Sequence, residues 1–181
     1  CGGGCYIAEA YAGENTDCWE CEDGESWACN DQQCGDLCFI AGTKILMYDR
    51  TEKSIEDVRE GDMVSSYRDG SIVKGVVTEH LVHPINMEVE VAVVDERLVG
   101  SPDHPIYHDG RWSEIKDSTV EFTLKRMHVD SYYNLEIDGF TAYESDHNYV
   151  ADGYIVSGLG DNKLLNDTFR RQDIFKESTD R

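Results

Sequence analysis

Four side chains in distinctive local sequences could act on a peptide bond. Cys38 carries a thiol, Ser101 a hydroxyl, and His104 and His147 carry imidazoles. A thiolate is a strong nucleophile, and an imidazole that titrates near neutral pH can move a proton during its attack. A single histidine is more often structural than catalytic, so the argument depends on the sequence around each residue.

Cys38 lies at the boundary between two regions of different composition. Residues 1–37 contain six cysteines, nine carboxylates and no Lys or Arg, whereas the chain after Cys38 has no cysteine. A cysteine in this place would normally be the last disulfide partner of the Cys-rich region. The sequence that begins with it, Cys-Phe-Ile-Ala-Gly-Thr-Lys-Ile-Leu-Met, favours a different role.

Three blocks of sequence, in this order, resemble one family. The first runs from Cys38 through Ser54-Ile55-Glu56-Asp57-Val58 and Glu60-Gly61-Asp62-Met63-Val64, the second is Gly-Ser-Pro-Asp-His-Pro at 100–105, and the third combines Tyr133-Asn134-Leu135-Glu136-Ile137 with 147–156. Together, over residues 38–158, they resemble the Hint (hedgehog/intein) self-processing domains, in the bacterial-intein-like form. A single block would not be specific.

The resemblance implies a single-turnover, autoproteolytic reaction at Leu37–Cys38. In Hint domains the first cysteine attacks the preceding peptide bond, and an N-to-S acyl shift gives a thioester that water, a thiol or an amine resolves. An amide nitrogen is a poor leaving group and needs a proton donor. His104 suits that task, Ser101 (Thr in the family) can orient the bond, and His147 belongs to the closing block. The reaction requires no cofactor.

The end of the third block departs from the family. Members that cut at both ends finish with Val-His-Asn, but this chain has Val156–Gly158 followed by Leu159, where a splicing domain needs Cys, Ser or Thr. The Asn whose amide would release the downstream chain is absent, so we expect no splicing. The remaining alternative is that His147-Asn148 forms the terminal pair.

Two geometric expectations accompany this interpretation. The blocks must converge, so His104 should lie within about 10 Å of the Cys38 sulfur, the limit for a loosened or water-bridged contact. Restoring the missing pair with Ser157→His and Gly158→Asn should create C-terminal cleavage.

The six cysteines before Cys38 leave three interpretations open. An even number allows three disulfides in 15 pairings. Cys18, Cys21, Cys29 and Cys34 could instead hold a metal ion or an iron–sulfur cluster, although one C-x-x-C pair is a weak signal. The third interpretation is free thiols.

Cys34 lies four residues before Cys38. A disulfide between the two would remove the thiolate that the acyl shift requires, and cleavage would then be gated by reduction. The opposing interpretation is that the upstream cysteines pair among themselves or bind metal and leave Cys38 free.

The pattern after Cys38 predicts an all-β fold. Short apolar runs are separated by Asp-Gly pairs at 69–70, 109–110 and 152–153, which favour tight hairpins. We expect a Cys-rich acidic segment at 1–37, a Hint-like domain at 38–158 and a C-terminal tail at 159–181. Helical spacing of apolar residues predicts a short helix in the tail, at Leu164, Leu165, Phe169 and Ile174.

Composition narrows the classes of partner. The chain has 181 residues, and a net charge of −21 disfavours nucleic acid and anionic membranes. It has no run of 18 apolar residues, no signal peptide and no initiator Met, so we interpret it as a fragment or a processed product. The expected partners are flanking domains of the same polypeptide or a larger assembly, at an extracellular or virion-associated location.

Two other functions compete with self-cleavage. A degenerate, inactive Hint unit could serve as a β scaffold in a phage tail or a secreted multidomain protein. Ser101 in place of Thr and the missing His-Asn pair favour this alternative. The Cys-rich segment could also be the functional part, with the Hint unit as its carrier. Transfer to a sterol is disfavoured, because nothing after Gly158 resembles a lipid-recognition segment.

Overall fold

The structure is a computed structural model that describes residues 38–139 and 146–158, together with the backbone of three short strands nearer the N-terminus. Those strands form a small antiparallel sheet in chain order: β1 (Cys5–Ile7), β2 (Cys18–Cys21) and β3 (Trp27–Cys29). The predicted C-terminal helix lies outside the described residues, as do the pairing and metal state of the upstream cysteines.

Eleven strands and two short 3₁₀ helices make up residues 38–139 and 146–158, so the predicted all-β fold is confirmed. The strands are β4 (Phe39–Ile40), β5 (Lys44–Leu46), β6 (Glu52–Ser54), β7 (Met63–Arg68), β8 (Ser71–Val94), β9 (Leu98–Gly100), β10 (Pro105–His108), β11 (Arg111–Glu114), β12 (Phe122–Ile137), β13 (Asn148–Ala151) and β14 (Tyr154–Ser157). The 3₁₀ helices are Ile55–Asp57 and Ile115–Asp117. No helix in these ranges is long and apolar enough to span a membrane.

The strands form two sheets. One has the order β11-β10-β14-β13-β5-β6, and the other has the order β12-β4-β9-β8-β7. In the second sheet β12 also pairs with β8, so β12, β4, β9 and β8 close into a ring. The first strand of the domain, β4, therefore belongs to one sheet and the last strand, β14, to the other.

The predicted Asp-Gly turns are confirmed. At Asp69-Gly70, Asp109-Gly110 and Asp152-Gly153 both residues have positive φ, as a type I′ turn requires. These turns join β7 to β8, β10 to β11 and β13 to β14. Glycine adopts this backbone without strain, and aspartate tolerates it better than most residues.

Apolar residues alternate loosely over Ile72–His83 and more cleanly over Met87–Val94, but the structure has the single strand β8 across both ranges. Pro84 lies between the two ranges and cannot donate a ladder hydrogen bond. The register with β12 shifts opposite 129–131, and Asn86 has a φ of 45°. This bulge accommodates the proline, and the pairing continues on both sides of it.

Two apolar clusters bury opposite faces of the segment 38–40, which begins the domain and contains β4. Phe39 belongs to the main core, which contains residues of both sheets such as Ile45 and Leu135. Cys38 belongs to a second cluster with Val91, Val129 and Tyr132 of β8 and β12, against which Ile40 also packs. Successive side chains of a strand point to opposite faces. That alternation places the Cys38 side chain in the ring of strands rather than in the main core.

Candidate active site

Cys38 immediately precedes β4 and is completely buried. Phe39, the next residue, pairs with Gly100 of β9 on one side and with Tyr133 of β12 on the other. The backbone of the junction is therefore held from both sides. The Cys38 sulfur forms a disulfide whose partner falls outside the described side chains.

Ser101 contacts the backbone of Cys38 at two points. The Cys38 amide N–H donates to Ser101 Oγ at 3.3 Å, and the Ser101 amide N–H donates to the Cys38 carbonyl oxygen at 3.0 Å. The amide nitrogen belongs to the peptide bond that joins Cys38 to Leu37. The serine hydroxyl is thus in direct contact with the bond that the sequence identifies as scissile, although Leu37 itself lies outside the described residues.

Gly100 allows this close approach. A Cβ at this position would lie 2.7 Å from Phe39 Cδ1 and 2.9 Å from the Cys38 carbonyl oxygen, both shorter than real contacts of a Cβ atom. Any side chain at this position would push β9 away from β4. An isolated glycine inside a strand is a known sign of close backbone approach, so the sequence carried this signal.

The loop from Ser101 to His104 is anchored to the 3₁₀ helix Ile115–Asp117. The His104 amide donates to the Ser101 carbonyl at 3.1 Å, and the amide of Ile115 donates to the His104 carbonyl at 3.0 Å. Lys116 forms a salt bridge with Asp103. Hydrogen bonds to Asp103 and Glu114 raise the pKa of the Lys116 ammonium, so it stays charged.

The imidazole of His104 is completely buried between the two ends of the domain. Its ring lies against Phe39, with the ring centroids 4.1 Å apart. Its Nε2 lies 2.9 Å from the carbonyl oxygen of Ser157, the last residue of β14. At the start of the domain, Ser101 thus contacts Cys38, and His104 contacts Phe39.

His147 lies at a second, adjoining position and pairs with the partly buried Glu136. Its Nδ1 is 2.6 Å from Glu136 Oε1 and 2.7 Å from the Ile137 carbonyl oxygen. A carbonyl only accepts hydrogen bonds, so Nδ1 carries the proton. Burial raises the pKa of the Glu136 carboxyl and outweighs the hydrogen bond from His147, which acts in the opposite direction.

Asn148 has a structural role, which argues against His147-Asn148 as a terminal cleavage pair. Its Oδ1 accepts from the Tyr67 amide at 2.7 Å and from the Ser66 hydroxyl at 3.2 Å, and its Nδ2 donates to the Tyr67 carbonyl at 2.8 Å. An asparagine that cyclises must turn its amide nitrogen onto its own carbonyl carbon. Here that nitrogen is committed to β7, and Asn148 pairs with Ser157 inside the sheet.

The C-terminal end of the domain is closed by backbone groups. The Gly158 amide donates to the His147 carbonyl at 2.5 Å. A Cβ at Gly158 would lie 2.5 Å from that oxygen and 2.6 Å from the Leu135 carbonyl oxygen. Backbone atoms cannot move aside as the end of a flexible side chain can, so the position that holds Asn in splicing domains admits only glycine here.

Among the side chains that the structure describes, no group of three or more His, Cys, Asp or Glu is arranged to hold a metal ion. The metal or iron–sulfur site predicted at Cys18, Cys21, Cys29 and Cys34 lies outside those side chains. The predicted Cys34–Cys38 disulfide does so as well, because only its Cys38 end is described.

Sequence reasoning missed three contributors to the site. Glu136 was read only as a strand residue, although a carboxylate in the same block as His147 could have suggested a pair. Gly158 was considered only as a replaced Asn. The Ser157 carbonyl has no signal in the sequence, because every residue has a backbone carbonyl and only the fold selects one.

Comparison with known proteins identifies a family for this chain. The Vint family, described as a Hint-domain, matches residues 37–176, which extends beyond Gly158. A search of curated proteins finds no match.

Several solved inteins are similar in fold. A bacterial intein-like domain from Clostridium thermocellum is 22% identical with a TM-score of 0.52, and the match covers 67% of this chain and 97% of that one. A DnaB intein from Synechocystis sp. PCC 6803 is 11% identical, with a TM-score of 0.54 and coverage of 67% and 97%. The DnaX mini intein from Spirulina platensis is 19% identical, with a TM-score of 0.52 and coverage of 67% and 99%.

Identities this low establish a shared fold and nothing finer. The family match establishes membership of a family, since it covers more than half of the sequence and begins one residue before Cys38. The chain therefore belongs to the Vint family of Hint domains, with a β fold of the bacterial intein type.

Proposed function

We propose that this domain cleaves its own Leu37–Cys38 peptide bond once, without splicing. The observation that carries the proposal is the double contact of Ser101 with Cys38, through the amide nitrogen at 3.3 Å and the carbonyl oxygen at 3.0 Å. The first contact is made to the nitrogen that must leave, and the second fixes the adjoining Cys38–Phe39 peptide group. Precise orientation of reacting groups is a large part of most enzymatic rate enhancement.

The proposed reaction begins with the Cys38 thiolate. Its sulfur attacks the Leu37 carbonyl carbon, a C–S bond forms and the C–N bond breaks, and the Cys38 nitrogen takes up a proton to become an amine. Water then hydrolyses the Leu37 thioester, giving a Leu37 carboxylate and a free thiol at Cys38. The imidazole of His104 supplies proton transfer beside the bond, and the Ser101 hydroxyl holds the nitrogen as it changes from amide to amine.

Reduction must precede this reaction. Cys38 is disulfide-bonded in the structure, and a disulfide sulfur cannot serve as a thiolate nucleophile. A thiol reductant supplies the two electrons that free it, and becomes a disulfide itself. The oxidised chain is therefore a stored precursor, and this agrees with the redox gate that the sequence suggested.

The second candidate function is an inactive Hint unit that serves as a β scaffold. The observation that favours it is the steric closure at Gly158, where a Cβ would lie 2.5 Å from the His147 carbonyl oxygen and 2.6 Å from that of Leu135. A scaffold would keep the core and the buried polar contacts and would not cleave.

Mass spectrometry of the full chain, incubated with and without dithiothreitol, separates the two candidates. We expect reduced samples to yield fragments 1–37 and 38–181, with the new N-terminus at Cys38, and oxidised samples to keep the intact mass. Alkylation before reduction should leave Cys38 unlabelled. A chain that keeps its intact mass after full reduction, with Cys38 then alkylated, is an inactive scaffold.

A further inference from the structure

The peptide group between Ser157 and Gly158 is held on both sides by histidines. Its carbonyl oxygen lies 2.9 Å from Nε2 of His104, and its N–H donates to the backbone carbonyl of His147 at 2.5 Å. Ser157, His104 and His147 are all buried. This last peptide group of the described domain therefore connects His104, which packs on Phe39 at the start of the domain, with His147 of the closing block.

The contact with Ser157 determines which nitrogen of His104 carries the proton. A backbone carbonyl has lone pairs and no hydrogen to donate, so Nε2 must be the donor. In a neutral imidazole only one nitrogen is protonated, and Nδ1 is then the acceptor. We propose that the Ser157–Gly158 peptide group fixes His104 in the Nε2–H tautomer and so makes Gly158 a positioning residue for cleavage at Cys38.

The position of this peptide group is itself tightly constrained. His147 provides the carbonyl that receives the Gly158 amide, and its ring is held through Nδ1 to Glu136 and Ile137. On the other side, the Leu135 carbonyl would lie 2.6 Å from a Cβ at Gly158. Glycine is therefore the residue that lets the strand end come close enough for Ser157 to reach His104.

This inference rests on the proposed cleavage, and it assigns a direction to the proton transfer. With Nε2 protonated and bonded to Ser157, the lone pair of the neutral ring is on Nδ1, so the proton transfer proposed for His104 takes place at Nδ1. The Ser157 bond persists throughout, so the ring does not rotate during the transfer.

The tautomer can be observed without any cleavage. We would label the histidines of the full-length Cys38→Ala variant with ¹⁵N and record the ring nitrogens by long-range ¹H–¹⁵N correlation. The His104 signals are identified as those lost in a Cys38→Ala, His104→Gln variant. We expect a protonated Nε2 and an unprotonated Nδ1. A His104 ring protonated at Nδ1 in its neutral form overturns the inference.

Gly158→Ala tests the positioning role, with Gly153→Ala as its matched control. Both glycines belong to the region of the β13–β14 hairpin, but a Cβ at Gly153 meets nothing within 4 Å, whereas at Gly158 it meets two carbonyl oxygens. We expect Gly158→Ala to slow reductant-triggered cleavage by about 100-fold, since displacements near 1 Å cost that much. Gly153→Ala should cleave at the wild-type rate, although its φ of +85° disfavours alanine.

The labelled Gly158→Ala protein, also carrying Cys38→Ala, should lose the uniform Nε2–H pattern of His104, a change that general destabilisation does not produce. An unchanged tautomer together with an unchanged cleavage rate overturns the inference. A reduced wild-type chain that never splits contradicts the proposed function, whatever the ring shows. A chain that splits normally with an Nδ1–H ring contradicts only the role assigned to Gly158.

Discussion

The two ends of the domain meet at His104, yet they are built differently. At the start, Cys38 is in contact with a serine hydroxyl and lies one residue from a phenylalanine that packs on an imidazole. At the end, Gly158 is enclosed by the carbonyls of His147 and Leu135. The first end holds groups that can gain or lose protons, and the second holds backbone groups that cannot.

This difference shows that the two ends of a domain can lie close together without both carrying a reactive side chain. Splicing requires a reactive side chain at each end of the domain, and the fold still brings the two ends to one histidine. The two ends of the domain meet at His104, but residue 158 is a glycine and so brings no reactive side chain to this contact. Contact between the ends then has a different use, which is to hold the ring of His104 in place.

The largest expected effect comes from removing the nucleophile. Cys38→Ala should abolish cleavage at the N-terminal end altogether, because alanine has no thiol that could attack the Leu37 carbonyl and form the thioester. Mass spectrometry of the reduced full chain measures the outcome. If the alanine variant still splits after Leu37, the break is ordinary proteolysis, and the contrast between the two ends has no chemical basis.

Removing proton transfer while keeping the structural contact should have the next largest effect. The amide of a glutamine in His104→Gln can still donate to the Ser157 carbonyl, but it does not titrate. We expect cleavage to slow by about 100-fold or more, the usual contribution of a general acid or base. His108→Gln is the control, because that histidine is partly exposed and bonds to Thr119 Oγ1. Equal rates in both variants would remove His104 from the mechanism.

Adding the missing residues at the other end sharpens the comparison. The sequence predicts that Ser157→His with Gly158→Asn creates C-terminal cleavage, but the steric contacts of Gly158 reverse that expectation. We expect no cut after residue 158 and a loss of about 2 kcal/mol in the free energy of unfolding, as overpacking usually costs.

Urea denaturation and mass spectrometry of the double variant test this. Gly153→Asn is the control, because it places the same side chain in open space on the same hairpin. A C-terminal fragment ending at residue 158 would show that the backbone there can yield, and the two ends would then be equivalent.

The smallest effect concerns Glu136, beneath the closed end. Burial raises the pKa of its carboxyl, so the folded protein holds this proton more tightly than the unfolded chain. The stability it contributes is complete below the ordinary value of 4.5 and is lost as the pH rises through the folded-state pKa.

Urea unfolding of wild type and Glu136→Gln across that pH range should show the wild-type advantage shrinking as the pH rises. The exposed Glu88 provides the control variant, Glu88→Gln. A difference between wild type and Glu136→Gln that stays constant with pH would mean that Glu136 titrates alike in the folded and unfolded states.

Local chemistry explains why parts of the fold were predictable. Asp152-Gly153 specifies its own turn, because positive φ at both residues costs this pair little conformational energy. The family blocks likewise predicted the β domain from residue types alone. The continuity of β8 through Pro84 was not predictable in the same way. It depends on a bulge against β12, whose sequence lies some 40 residues away, and on a register that only tertiary pairing sets.

The candidate site also contains predictable and unpredictable parts, which are its side chains and its backbone groups. Cys38, Ser101 and His104 are predicted from side chains in characteristic sequences, and in the structure Ser101 contacts Cys38 while His104 contacts Phe39. The carbonyls of Ser157 and Leu135 act through the backbone, and nothing in their side chains reveals it. The upstream cysteines, Leu37 and the tail remain predictions of the sequence, and so do the partners and location of the chain.

The order of synthesis gives the contact between His104 and Ser157 a further meaning. Cys38 leaves the ribosome first, its amide partner Ser101 follows 63 residues later, and the carbonyl that fixes His104 comes 53 residues after that histidine. At roughly 5–20 residues per second, translation reaches Ser157 on the order of ten seconds after Cys38. During that delay the nucleophile exists without its proton carrier in place. On the proposed mechanism the last strand therefore acts as a timer, because an incompletely synthesised chain lacks the carbonyl that positions His104.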